Sequence, residues 1–132
     1  MYSPTVFPQN MSHSLNKFIT LQLSADELDP SEIVLSLPEG WRQKFKSIIF
    51  DFYDVLKSPL IAVDIRDGVL YLTKSDNSLH STIADYVIRS VAQESARTCM
   101  VCGKYARRRK EQAHKPALCR EHYLEYINAL ED

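Results

Sequence analysis

Cys99, Cys102, Cys119 and His122 carry the spacing in this chain that reads most directly as chemistry. They stand in "TCMVCGKYARRRKEQAHKPALCREHYLEYI", and none of the first 98 residues is a cysteine. The pattern is C-x-x-C, then 16 residues, then C-x-x-H. A structural zinc site takes four sulfur and imidazole donors in a tetrahedron, and two pairs with short gaps supply them. In "CMVCG" the chain must fold back on itself, and Gly103 relieves strain where backbone amides turn toward the sulfurs. In "LCREHYLEYINAL" the second pair falls at the start of a helix, where residues three apart share a face. The partial positive charge of a helix start suits a thiolate ligand. The spacing therefore predicts a bound structural Zn2+ in a treble-clef arrangement, a knuckle followed by a helix carrying the last two ligands. His114 is a rival fourth ligand, but it lacks that helix geometry. A thioredoxin-like redox use of "CMVC" needs an α/β context after the motif, and here a basic loop follows.

That loop is the second feature. Net charge is −1 for the whole chain, yet residues 103–120 hold seven basic side chains and one acid, Glu111. Lys104, Arg107, Arg108, Arg109, Lys110 and Lys115 form a candidate binding surface, with Arg120 and Tyr105 beside them. A basic segment held on a metal module can meet phosphates or an acidic protein surface. A pI near 6.4 is low for a dedicated nucleic-acid binder. A protein partner is therefore the first expectation and nucleic acid the alternative.

Residues suited to catalysis are sparse. A catalytic zinc keeps an open position, whereas this set closes with four protein ligands. A zinc deaminase needs His-x-Glu before Pro-Cys-x-x-Cys, and Thr98 stands where that proline belongs. "GKYARRRK" lacks the histidine pair that treble-clef nucleases place in the knuckle. Asp51, Asp54 and Asp64 read as solvated faces of a helix and a strand. His13 and His80 read as surface residues. No enzyme and no small-molecule substrate are expected.

These groups need elements to position them. Residues 1–16 read as an irregular arm. "KFITLQLS" (17–24) alternates like a short strand, with Ile19, Leu21 and Leu23 on one side. Asp29-Pro30 with Glu32 opens a short helix, as cap, first helical residue and capping box, and Pro38 closes it. A longer helix follows in "EGWRQKFKSIIFDFYDVLK", with Trp41, Phe45, Ile48, Phe52 and Val55 as its stripe and Ile49 and Leu56 widening it. "LIAVDIRDGVLYLTK" is a hairpin about Asp67-Gly68. That turn pairs Arg66 with Val69, Ile65 with Leu70 and Val63 with Leu72, and it places Ile61, Val63, Ile65, Leu70 and Leu72 on one face. "SLHSTIADYVIRSVAQESART" is a last helix of the body, with Ser78 as its cap and Leu79, Ile83, Val87 and Val91 on one side.

The fold class expected is α+β. A small helix–hairpin–helix body (17–97) is followed by a treble-clef-like zinc module with a C-terminal helix (98–132). Composition is globular, with 45% hydrophobic and 25% charged residues over 132 positions. No apolar run approaches the roughly 20 residues that span a bilayer. "MYSPTVFPQNMSHSLNK" has neither the basic start nor the apolar segment of a secretory signal. An odd cysteine count suits a reducing compartment, so a cytoplasmic protein is expected.

With Gly40-Trp41 at the head of a helix, the 60–74 hairpin, "AQESARTCMVCG" and "ALCREH" in place, the chain resembles a family of small bacterial and phage zinc-binding proteins. The resemblance covers roughly residues 38–123 and implies the same fold and metal site. It implies no defined activity. Together these readings describe a non-catalytic interaction protein of the adaptor, inhibitor or regulator kind, and the resemblance implies a phage or mobile-element origin.

Overall fold

The computed structural model describes residues 20–76, 80–106 and 117–131. The elements run β1 (Thr20–Ser24), α1 (Pro30–Ser36), α2 (Glu39–Asp54), β2 (Leu60–Arg66), β3 (Val69–Lys74), α3 (Ser81–Ser95) and α4 (Arg120–Glu131). The class is α+β, built on a three-stranded antiparallel sheet in the order β1-β2-β3. The arm over 1–16 lies outside the described residues, as do Ile19, Ser78 and Leu79; α3 begins at Ser81 with His80 in the cap position, so Ser78 is not its cap.

Local chemistry sets the short elements. The Asp29 carboxylate accepts the Ser31 N–H at 2.9 Å, and Pro30 occupies the first helical position of α1. Arg42 closes the other end of α1 by donating to the carbonyls of Leu37 and Leu35 at 2.9 and 3.0 Å. Asp67 and Gly68 both have positive φ, 54° and 76°, as a two-residue hairpin turn requires. The pairs Arg66–Val69, Ile65–Leu70 and Val63–Leu72 follow as the turn predicts. On the opposite face the Arg66 guanidinium stacks 4.3 Å over the Tyr71 ring.

One core runs through the described chain. Trp41, Phe45, Ile49 and Phe52 of α2 are fully buried, as are Val63, Ile65 and Leu70 of the hairpin. The same cluster takes in Cys99, Met100, Ala106, Leu118 and Tyr126, so the segment around the cysteines shares it.

Three expectations about the core need correction. The register slips between Leu60 and Ala62, and Leu60 rather than Ile61 is fully buried. A bulge of this kind adds one residue to a strand and turns the next side chain to a new side. The stripe of α2 is continued past the helix by buried Leu56, while Val55 is 62% exposed. The helix ends at Asp54, and Lys57 takes the left-handed conformation with φ 50°. The Ser58 N–H then reaches back to the Phe52 carbonyl at 2.7 Å, which satisfies one of the last carbonyls of the helix. On α3 the inner face is Ala84, Val91 and Ser95, with Val87 and Ile88 partly buried, while Ile83 is 54% exposed.

Ser95 explains part of that last shift. Its hydroxyl is buried, donates to the Ala92 carbonyl and accepts the Leu70 N–H, both at 2.8 Å. Leu70 pairs with Ile65 next to the turn, so its N–H points away from β2 toward the open edge of β3. Helix α3 thus satisfies that edge donor with a side chain. Near the far end of α2, the Tyr53 hydroxyl donates to the Leu28 carbonyl and accepts the Leu60 N–H at 3.2 Å. It ties the α1 entry, α2 and β2 together.

Candidate metal centre

Helix α3 delivers the first pair of ligands. Thr98 stops it: its hydroxyl donates to the Glu94 carbonyl at 2.7 Å. The chain then doubles back as a knuckle. Thr98 bridges Tyr105 in antiparallel fashion, and the Ala106 N–H donates to the Arg97 carbonyl at 2.7 Å. Within that frame the Cys99 N–H donates to the Lys104 carbonyl at 2.7 Å, and the Gly103 N–H to the Cys99 carbonyl at 2.9 Å. Gly103 has φ 81°, a conformation that costs glycine nothing and a side chain about 1 kcal/mol or more.

The second pair arrives through residues 117–119. The Met100 N–H donates to the Ala117 carbonyl at 2.8 Å, which docks this segment on the knuckle. Cys119 stands just before α4, and its carbonyl accepts the Tyr123 N–H at 2.8 Å. His122 lies in the first helical turn, so it and Cys119 point the same way.

The four candidate ligands therefore meet. Cys119 Sγ lies 3.1 Å from His122 Nδ1, Cys99 Sγ 3.5 Å from the same nitrogen, and Cys102 Sγ 3.7 Å from Cys119 Sγ. All four ligand atoms fall within 4.8 Å of one another and could hold a metal ion. Among the described residues this is the one such grouping of His, Cys, Asp and Glu, so Asp51, Asp54 and Asp64 form none. His114 lies outside the described residues, and His80 is an exposed residue at the start of α3.

Burial divides the ligands. Cys99 is fully buried, Cys119 is 7% exposed, and Cys102 is exposed. Burial pushes the Cys99 thiol up to about 12, against hydrogen bonds from the backbone N–H groups of Cys119, Cys102 and Val101 that pull it down. Those amides are placed to stabilise a thiolate there. An ion entering the cluster must displace the Cys99 proton, so binding releases protons.

The body holds the knuckle through contacts that spacing did not foretell. The Trp41 indole N–H donates to the Thr98 carbonyl at 2.8 Å in a fully buried position. Pro38 precedes α2 and offers no side-chain cap, and the Gly40 N–H instead donates to the Met100 carbonyl at 2.9 Å. The knuckle thus supplies the cap for the start of α2. A glycine in the first turn of a helix, directly before a tryptophan, is the sequence signal for such a close approach.

Of the basic surface, Lys104 is exposed, as are Arg97 and Arg120. Arg107, Arg108, Arg109, Lys110 and Lys115 lie outside the described residues. Tyr105, beside Lys104, is 72% exposed. Among the described residues no helix is long and apolar enough to cross a membrane. Comparison with protein-family models, with curated proteins and with solved structures gave no match.

Proposed function

We infer that this chain is a non-catalytic interaction protein whose metal centre is a structural zinc site of treble-clef type. The observation that carries the reading is the closed donor set. Tetrahedral zinc, with bonds of about 2.3 Å to sulfur and about 2.0 Å to nitrogen, places sulfur pairs about 3.8 Å apart and sulfur–nitrogen pairs about 3.5 Å apart. The Cys102–Cys119 and Cys99–His122 separations of 3.7 and 3.5 Å match those values, and the Cys119–His122 separation of 3.1 Å is shorter. Three sulfurs and one imidazole favour zinc over the hard cations, which prefer oxygen. Four protein ligands leave no position for a substrate or an activated water.

The partner is a protein in this reading. Leu35, Val55, Ile83 and Tyr86 are each more than half exposed on the body, and such side chains supply contact area to a protein partner. The basic loop would meet an acidic region of that partner. Because Ser95 occupies the Leu70 N–H, addition of a strand along β3 is disfavoured at that point. The resemblance to small bacterial and phage zinc proteins fits an adaptor, inhibitor or regulator.

A second reading is favoured by Tyr105, exposed beside Lys104 at the head of the basic loop. An exposed aromatic among cations is the layout that stacks a nucleobase and holds phosphates. The experiment that separates the readings is binding of the zinc-loaded chain to random-sequence DNA and RNA across a salt series. An Arg107/Arg108/Arg109→Ala variant is run alongside. No binding at low salt supports the protein reading. Binding that falls steeply with salt and is lost in the variant replaces it with the nucleic-acid one.

A further inference from the structure

The four ligands of the cluster are not equally reachable. Cys99 and Cys119 are buried, while Cys102 stands on the surface of the knuckle. Its sulfur lies 3.7 Å from that of Cys119, which enters from the other half of the site. Ligation requires each cysteine to be a thiolate, the form that reacts with oxidants. Attack then follows access, and access singles out Cys102, with a second sulfur already beside it to resolve the first product.

We propose that Cys102 is an oxidation site, and that peroxide joins it to Cys119 in a disulfide that dismantles the metal centre. This rests on the zinc reading above and goes beyond it, because it makes the structural site a reversible one. In the first step the Cys102 thiolate attacks one oxygen of hydrogen peroxide. An S–O bond forms, the O–O bond breaks, and the departing hydroxide takes up a proton to become water. In the second, the Cys119 thiolate attacks the Cys102 sulfenic sulfur. An S–S bond forms, the S–O bond breaks, and a second hydroxide leaves and is protonated to water. Two electrons pass from the two sulfurs to one peroxide. Cys99 and His122 remain as half of the donor set, too few to retain the ion. The knuckle between Cys99 and Gly103 also supplies the carbonyl that caps Gly40, so the change reaches the start of α2.

The test treats the zinc-loaded full chain with hydrogen peroxide and follows zinc release with a coloured chelator. Disulfides are then mapped by mass spectrometry of an unreduced digest. Release accompanied by a Cys102–Cys119 bond, reversed by dithiothreitol and added zinc, is the expected result. Release without a disulfide at Cys102, or with a Cys99–Cys119 bond instead, overturns the proposal. Cys102→His keeps four ligands and removes the accessible sulfur, so release should slow roughly tenfold or more. Release at the original rate also overturns it. Should that variant not load zinc, limited labelling of the original chain with N-ethylmaleimide decides the matter. Cys102 modified ahead of Cys99 and Cys119 supports the assignment, and any other order overturns it. A chain that takes up no zinc at all fails before peroxide is added, which marks the failure of the metal reading and takes this one with it.

Discussion

Gly40 and Gly103 meet backbone to backbone across the join between α2 and the knuckle. A Cβ on Gly40 would stand 2.2 Å from the Cys99 carbonyl oxygen and 2.7 Å from the Gly103 nitrogen. A Cβ on Gly103 would stand 2.8 Å from the Gly40 carbonyl oxygen. Neither neighbour is a side chain that can swing aside. The two glycines let a helix start rest directly on the knuckle that carries Cys99 and Cys102, so the candidate metal cluster and the body share one geometry.

Gly40→Ala should therefore destabilise the protein by about 3 kcal/mol or more, since main chain must move on both sides of the contact. Gly103→Ala should act the same way through a clash and a disfavoured φ. Urea unfolding of the zinc-loaded chain measures both. Zinc affinity should fall in parallel, because the strain is delivered to the Cys99 carbonyl. A Gly40→Ala protein with unchanged midpoint and affinity would mean that the contact is looser than described.

Trp41→Phe keeps most of the buried ring and removes the indole N–H. The Thr98 carbonyl, buried where the knuckle begins, then loses its donor. An orphaned buried acceptor costs about 1–3 kcal/mol. The loss should appear as a lower melting temperature. It should be larger than that of Phe45→Leu corrected for volume, because packing alone does not explain it.

Removal of the metal should unsettle residues 98–106 and 117–131 first. Cys119→Ala, or a strong chelator, should lower the melting temperature and erase protection of the α4 amides against hydrogen exchange. Retention of full metal content by Cys119→Ala would place the ligand set elsewhere. Because the ligands must lose protons to bind, zinc affinity should weaken as pH falls, with competition assays at pH 6 and pH 8 giving the sign.

Tyr53 gives a second pH dependence, at the alkaline end. Burial is the main cause that raises its phenol above the ordinary 10.0, opposed by the Leu60 N–H, with Glu27 and Asp29 adding to the rise. The folded state thus favours the protonated phenol, whose O–H donates to the Leu28 carbonyl. Its contribution is fully present below pH 10 and is lost as pH rises through the higher folded value. Tyr53→Phe should cost about 1–2 kcal/mol near neutrality and flatten this alkaline decline. Thermal melts of both proteins between pH 8 and 11 make the comparison.

Some of this was legible residue by residue. Asp67-Gly68 specified the turn and, through it, the register of β2 with β3, because a two-residue turn leaves one pairing open to the strands. Asp29-Pro30 specified the start of α1. The two pairs Cys99/Cys102 and Cys119/His122 marked the residues that gather into one Cys/His cluster, because donor type and short spacing are local properties. Other features were not legible. Val55 and Leu56 both fit the helical stripe, but α2 ends at Asp54, and beyond it Val55 is exposed while Leu56 is buried. Ile61 fitted the alternation until a bulge gave its place to Leu60. Ile83 fitted the period of α3, but Ser95 reaches the β3 edge and Ala84 faces inward with it.

The sequence by itself determined the chemistry available here: which residues can ligate, where helices begin, how one hairpin pairs, and where charge is concentrated. All of these depend on neighbours a few positions apart, where chain geometry leaves few choices. Only the tertiary structure decided which cysteine stands in reach of solvent, and that a glycine and a tryptophan at the head of α2 would seat the cysteine knuckle. Those outcomes depend on main-chain surfaces more than fifty residues apart. Close approach between such surfaces is set by the packing of the whole core, and no local pattern encodes it.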